Sequence, residues 1–488
     1  MTNEAVKHFK QLKQPSYDRN QLTTRIVHIG CGAFHRAHQA LYHHDWLEHS
    51  NSDWGICEVS LFGDGRLIRQ LREQQHLFTV LEKGSEKRTA KLVGSVCQSL
   101  HAGTDGREAI LETMSDDNVK IVSMTITEKG YCIDPSSGRL DRSHPLIQHD
   151  LAHPLQPDSA IGYIVAALRR RKEQGSRAFT VLSCDNIQEN GKAAKSAVVE
   201  FASLIDADLA LWIELNATFP STMVDRIVPA ATQEMYLELQ EIIGEPDPCG
   251  IECEPFRQWV IEDSFADGRP NWNEVGVEFV SNVVPYEEMK LRMLNGSHSF
   301  LAYLGYLAGY DYIFETMQDP HFRVATFNLM TREQAPTLDM PKGTVLETYA
   351  LELIERFSNQ SLKHRTGQIA TDGSQKLPQR FGDSLRFHLQ HQSNYQWLAL
   401  GVAGWMRYVS GVDEKGQEIT INDPMADTFN AIYDKHGLSA NVVPELLAIE
   451  SIFGSDLKNQ HGFVNTVTSA YQRLLDVGAA KTVMTTQK

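Results

Sequence analysis

Lys290, Asn295 and His298 stand at the spacing Lys-x4-Asn-x2-His, and their types can do chemistry together. A neutral lysine can act as general base, an asparagine amide can donate to an oxygen gaining charge, and an imidazole can orient a polar ligand. The stretch Pro285 to Leu301 that carries them reads as the start of a helix running to about Gly309. Pro285 suits the first helical position, and Glu287 and Glu288 lie in the first turn, where the helix dipole favours acids. At about 100° per residue, Lys290, Leu294, Glu287, His298 and Asn295 fall within an arc of about 140°. An ammonium, an imidazole and an amide thus share a face with residues that favour burial. Two readings fit this pattern. In one, Lys290 snorkels its stem along apolar surface and His298 is a satisfied core histidine. In the other, burial strips the ammonium of its proton and Lys290 serves as a base near neutral pH.

The rest of the chain must position that set. With 488 residues, two domains are expected, and the division falls as 1–284 and 285–488. Hydrophobic content of 42% and charged content of 22% suit a soluble globular protein. A formal charge of −16 disfavours nucleic acid and anionic membrane surfaces as partners. No apolar run approaches spanning length, and Met1 to Thr24 lacks the apolar core of a signal peptide. Seven cysteines are scattered, and only Cys249 and Cys253 lie close, with no second pair to complete a zinc site. The expectation is reduced, mostly buried thiols, a cytoplasmic location and no metal.

Arg25 to Ile29 reads as the first strand, feeding Gly30-Cys31-Gly32-Ala33-Phe34-His35-Arg36 at a helix start. A Gly-x-Gly turn between strand and helix is the dinucleotide-binding arrangement, and His35 stands where the usual third glycine would be. The expected cofactor contacts are Ile29, Gly30, Cys31, Gly32, Ala33, Phe34, His35 and Arg36. Trp54 to Leu61 is the second strand, with Asp64, or less favourably Glu58, bonding the ribose of NAD; Arg66 keeps NADP open. Val119 to Thr127 is a further strand, placing Thr127 and Glu128 at a carboxyl end beside the cofactor. A helix over Ala160 to Gln174 capped by Asp158 or Ser159, a strand over Ala178 to Ser183, and a helix from about Gly191 continue the alternation. This predicts a doubly wound, mainly parallel α/β sheet. Asn186 lies just beyond a strand end, where a substrate contact and a turn cap are both open. Asp225-Arg226 lies inside an apolar run, as an ion pair or a substrate contact. A late strand is expected over Phe279 to Val284. The pattern then turns helical, with Thr344 and Glu347 as a capping box for a helix to Phe357 and another helix over Trp397 to Tyr408. Between them, Lys363 to Arg380 reads as a basic loop, solvated or docked over an anion.

Taken together, Gly30 to His38, Thr125 to Tyr131, Phe219 to Ile227 and the Lys290, Asn295, His298 set resemble the long-chain mannitol dehydrogenase family of polyol and sugar-acid oxidoreductases. Within that family, His364 to Arg380 and Met289 to Tyr306 are most similar to fructuronate reductases. The resemblance implies an N-terminal Rossmann-type domain, a mostly α-helical C-terminal domain, NAD as cofactor and no metal. It implies Lys290 as catalytic base, Asn186 and Asn295 as oxyanion donors, His298 as the orienting histidine and Glu287 as a proton-channel acid. Val224, Asp225 and Lys376 fall where relatives line the substrate site. Gln368 replaces a substrate-binding arginine of the polyol enzymes, leaving Arg365 and Arg380 for a carboxylate. The implied partner is a small sugar-acid substrate, D-fructuronate, with tagaturonate or fructose as alternatives, acted on by a monomer or weak homo-oligomer. The rivals are a non-catalytic dinucleotide sensor and a sugar-phosphate dehydrogenase.

Overall fold

Near-continuous apolar runs mark strands that are buried on both faces, as parallel sheets require. Five strands with consecutive buried residues, polar ones among them, pair in the computed structural model, which describes residues 9, 11–134 and 137–486. The strand order is Val96–His101, Trp54–Ser60, Thr23–Ile29, Ile121–Met124, Thr180–Ser183, and every neighbouring pair is parallel. The strand that comes first in sequence is central, so the chain winds outward on one side and then on the other. That reversal opens a crevice beyond the carboxyl ends of Thr23–Ile29 and Ile121–Met124, where ligands of such sheets sit. Two small three-stranded sheets add antiparallel pairs, Phe78–Lys83 with Arg88–Val93 and Gln258–Glu262 with Thr222–Asp225. The α/β reading with a mainly parallel sheet holds.

Several elements match their expected bounds closely. The helix Ala160–Gln174 is capped by Ser159, whose hydroxyl accepts from the Gly162 N–H. Others differ for identifiable reasons. The strand expected over Val119 to Thr127 is only Ile121–Met124. Beyond it the Ile126 and Thr127 N–H groups donate to the Asp185 carboxylate at 3.0 and 2.8 Å, and Thr127 takes φ of 60°, so pairing stops. The late strand is Glu278–Val280, because Val284 already begins the next helix.

The chain divides into two compact units, Met1–Val284 and Pro285–Lys488. The second is mostly helical. Its centre is the helix Ser297–Leu307 against Gln396–Tyr408, packed closely because a Cβ at Gly404 would already meet Leu304 at 2.8 Å. The capping box expected of Thr344 and Glu347 does not form. The helix is Leu346–Phe357, its N-cap is Val345, and no side chain among the described residues caps it. The basic segment is not an open loop but Thr366–Ile369, Gly373–Leu377 and Pro378–Gly382, folded onto the helical core. All seven cysteines are free, and six are buried. No helix among the described residues is long and apolar enough to cross a membrane.

Candidate active site

In the N-terminal unit the glycine turn leaves the central strand at Gly30 with φ of +108°. A Cβ there would stand 2.2 Å from the Thr125 carbonyl oxygen, so only glycine fits. Gly32 is exposed and caps the helix Ala33–Ala37. The nearest atom to a Cβ on Gly32 would be 3.8 Å away, and no side chain among the described residues caps that helix. The leading N–H groups of Ala33, Phe34 and His35 have no preceding turn to bond. Such an uncapped helix start beyond a parallel strand suits a pyrophosphate. Ile29 and Cys31 are buried beneath the turn.

The side chains of His35 and Arg36 do not face outward, as cofactor contacts would require. Arg36 is buried, donates from Nε to Gly32 O at 3.2 Å and from Nη1 to Cys249 O, and so braces the turn from behind. The His35 imidazole is also fully enclosed, 2.7 Å from Glu58. Glu58 is therefore excluded as a ribose ligand. Asp64 is exposed, accepts the Arg66 N–H at 2.9 Å and pairs with the Arg66 guanidinium at 3.0 Å.

Thr127 and Glu128 begin the one-turn helix Thr127–Gly130 and are exposed. Asn186 is exposed just beyond Thr180–Ser183. Its neighbour Asp185, which no motif singles out, is buried and holds the Ile126 and Thr127 N–H groups and the Tyr131 hydroxyl, the last at 2.7 Å. Burial raises its carboxyl above the usual range despite these donors. An acid directly after a strand and before a candidate amide is the signal that could have found it. Val224 and Asp225 are buried at the end of Thr222–Asp225. Arg226 donates to Ala37 O at 2.6 Å, Glu254 O at 2.6 Å and Glu82 Oε1 at 2.5 Å. Its ion pair is thus with Glu82, a structural role.

The lysine-bearing element in the C-terminal unit departs from regular geometry. It runs as α-helix Val284–Met289, π-helix Lys290–Gly296 and α-helix Ser297–Leu307. An arc drawn at a constant α-helical angle therefore does not apply. In a π-helix the backbone hydrogen bond spans residues five apart. Lys290 and Asn295 are five apart, the span of one such hydrogen bond, and His298 follows three residues later on regular helix. The Lys-x4-Asn spacing is the spacing of this π turn. Lys290, Glu287 and His298 are buried, as is Leu294.

Neighbouring elements hold this turn in place. Arg380 Nη1 donates to the Asn295 carbonyl at 3.2 Å and to Ser299 Oγ at 2.8 Å. Two further π segments, Leu329–Gln334 and Pro378–Gly382, meet it at Gly296. A Cβ on Gly296 would lie 2.5 Å from Gln334 Nε2 and 3.1 Å from Arg380 O. His298 packs 4.5 Å from the Phe357 ring and edge-on to His364 at 5.2 Å. Burial first, then His364, Arg380 and Arg356, hold its imidazole well below the usual histidine range, so it is neutral. Burial lowers Arg380 to about 10, and burial together with Arg380 lowers Lys376. Lys376 donates to Thr371 O at 2.6 Å. Arg365 is exposed over the Tyr312 ring at 5.3 Å, and Gln368 is exposed. Only Arg380, of the three residues Arg365, Gln368 and Arg380, is tied to the helix that carries Asn295.

Residues 24–274 match the family model of the mannitol dehydrogenase Rossmann domain, and residues 282–475 match that of the mannitol dehydrogenase C-terminal domain. The chain is 58% identical over 472 residues to the D-mannonate oxidoreductase of Escherichia coli K12, covering 96% of this chain and 97% of that one. It is 40% identical to mannitol dehydrogenase 2 of Saccharomyces cerevisiae over 97% of this chain and 95% of the relative. The Pseudomonas fluorescens mannitol 2-dehydrogenase, solved as a ternary complex with NAD and D-mannitol, superposes with a TM-score of 0.84 at 39% identity, covering 99% of both chains. On two domain models that together span nearly its whole length, the chain belongs to the mannitol dehydrogenase family.

Proposed function

We propose that the chain is an NAD-dependent oxidoreductase that interconverts D-fructuronate and D-mannonate, with Lys290 as general acid and base. The observation that carries this reading is the π turn, which holds a buried Lys290 and Asn295 five residues apart and is followed by a neutral, buried His298. The uncapped helix start at Gly32 fits the cofactor's pyrophosphate, and Asp64 fits its adenosine ribose. The bound nicotinamide supplies the hydride chemistry. In oxidation, neutral Lys290 takes the proton of the substrate hydroxyl. Asn295 and Asn186 donate to that oxygen as it gains negative charge; one such preorganised donor is worth about 2.7–4 kcal/mol. His298, uncharged, donates or accepts one hydrogen bond and orients the substrate. Glu287, buried one turn before Lys290, passes the proton onward. In reduction Lys290 returns the proton to the carbonyl oxygen.

A sugar acid is favoured over a neutral ketose because Lys376 and Arg380 stand close enough for the second to depress the first. Two cations held together in a buried region lower their mutual repulsion when a carboxylate joins them. The similarity to D-mannonate oxidoreductase supports the same class. Steady-state reduction of fructuronate, tagaturonate and fructose, each with NADH and NADPH, tests the assignment. The highest kcat/KM is expected for fructuronate with NADH, and a clear preference for fructose overturns the assignment.

A further inference from the structure

Beside the buried His298 stands a second imidazole that the chemistry above leaves unused. The His364 ring meets the His298 ring edge-on, with centroids 5.2 Å apart and planes 89° from parallel. His364 lies in an irregular segment whose backbone is fixed on both sides. Its N–H donates to Leu362 O at 2.8 Å, and its carbonyl accepts from the Ile313 N–H at 3.0 Å. Two residues on, the Thr366 N–H donates to Asp311 O and the Thr366 hydroxyl to Tyr310 O, each at 2.9 Å. The segment is thus laced to the residues that follow the helix Ser297–Leu307. The element that carries His298 also holds His364 in place.

The ring itself closes no hydrogen bond with a described residue: Nδ1 is sealed from solvent without a partner, and Nε2 is the nitrogen left accessible. Leaving a buried polar group unpaired costs about 1–3 kcal/mol, and packing alone does not require it, since a phenyl ring would fill the same space. Burial holds the imidazole below the usual histidine range, so it is neutral near pH 7. A neutral imidazole has one donor and one acceptor. Unpaired N–H groups are rarer in protein interiors than unpaired acceptors, so the proton belongs on Nε2 and the lone pair on the enclosed Nδ1. We propose that His364 is a substrate-binding residue, its Nε2–H donating to an oxygen of the polyhydroxylated chain next to the one that His298 holds. The proposal deepens the function proposed above and rests on His298 as the group that orients the substrate. Adjacent hydroxyls each offer a donor and an acceptor, and two neutral imidazoles set edge to face offer the matching pair. An uncharged pair suits hydroxyls, which leaves the carboxylate to Lys376 and Arg380.

The test is steady-state reduction of fructuronate by the full-length protein, with the KM for NADH and the melting temperature measured alongside. His364→Phe keeps the ring packing and removes the donor. Its KM for fructuronate is expected to rise about tenfold, with kcat falling less than KM rises and the KM for NADH within about twofold of wild type. In His364→Gln the amide nitrogen can stand where Nε2 stood, and KM is expected to return to within about threefold of wild type. A wild-type KM in His364→Phe, or a rise that NADH shares equally, overturns the proposal. So does a His364→Gln enzyme as impaired as His364→Phe. If neither variant folds, wild-type protein treated with diethyl pyrocarbonate, which modifies accessible neutral imidazoles, decides the matter. Mannonate with NADH is expected to protect His364 from modification mapped by mass spectrometry, and an unprotected His364 overturns the proposal. Wild-type substrate preference reports separately on the underlying reading. Were fructose preferred, the sugar-acid assignment would fail, and the same KM ratios taken with fructose would still decide on His364.

Discussion

The glycine turn and the lysine helix, to which the proposed function assigns the cofactor and the proton, use backbone geometry in opposite ways. The turn relies on standard parts: a parallel strand, a glycine at positive φ and a short helix whose N–H groups face outward. The lysine helix relies on a departure, one widened turn between two regular stretches. A π turn is rare and persists where its surroundings hold it. Here Arg380, Gln334 and the close approach at Gly296 do so. The contrast teaches that the proposed cofactor seat is a motif, while the proposed proton-transfer site depends on a local irregularity braced by neighbouring elements.

The largest expected effect is on the irregular half. Lys290→Ala is expected to lower kcat by at least about 10³-fold with NADH affinity within about twofold of wild type, since general base catalysis alone contributes about 10²–10⁴-fold. Stopped-flow turnover with a parallel NADH titration checks this split. Gly30→Ala attacks the standard half. Its Cβ would meet Thr125 O at 2.2 Å at a φ alanine avoids, so a loss of about 2–4 kcal/mol in stability and at least tenfold weaker NADH binding are expected. Thermal melts and the same titration read it.

The smallest effect concerns the brace. Glu333 lies in the π segment Leu329–Gln334 and accepts from the Trp397 and Leu398 N–H groups at 3.0 and 2.8 Å, while burial raises its carboxyl from 4.5 to about 7. The native state therefore holds a proton that the unfolded chain has released between these values. Stability falls as pH rises through that window, by about 1–3 kcal/mol. Urea denaturation at pH 5 and pH 8 should show this loss for wild type, and Glu333→Gln should flatten it. A wild type that gains stability from pH 5 to 8 relative to Glu333→Gln contradicts the assignment.

How much of this was legible depends on range. The strand, the Gly-x-Gly and the helix that follows, Thr23 to Ala37, are continuous in sequence, so their geometry is set locally. The same holds for the Ser159 cap. The orientation of His35 and the pairing of Arg226 were not legible, because their partners Glu58 and Glu82 are distant in sequence. The fold of Lys363 to Arg380 was hidden for a related reason. Its charges suggest solvent, but Lys376 and Arg380 donate to backbone oxygens and hydroxyls of the segment itself and of the lysine helix. The π turn is the instructive case. A constant angle per residue separates Lys290 from Asn295 by about 140°, although their five-residue spacing is in plain view and is the spacing of that turn.

The proposed chemistry stands on Lys290 being the group that moves the proton. The most direct measurement is chemical rescue of Lys290→Ala by a series of small primary amines during mannonate oxidation. Added amine is expected to restore turnover, with a restored rate that rises with amine basicity while NADH affinity stays constant. A Lys290→Ala enzyme that keeps wild-type turnover and the wild-type pH profile with no amine present would contradict it.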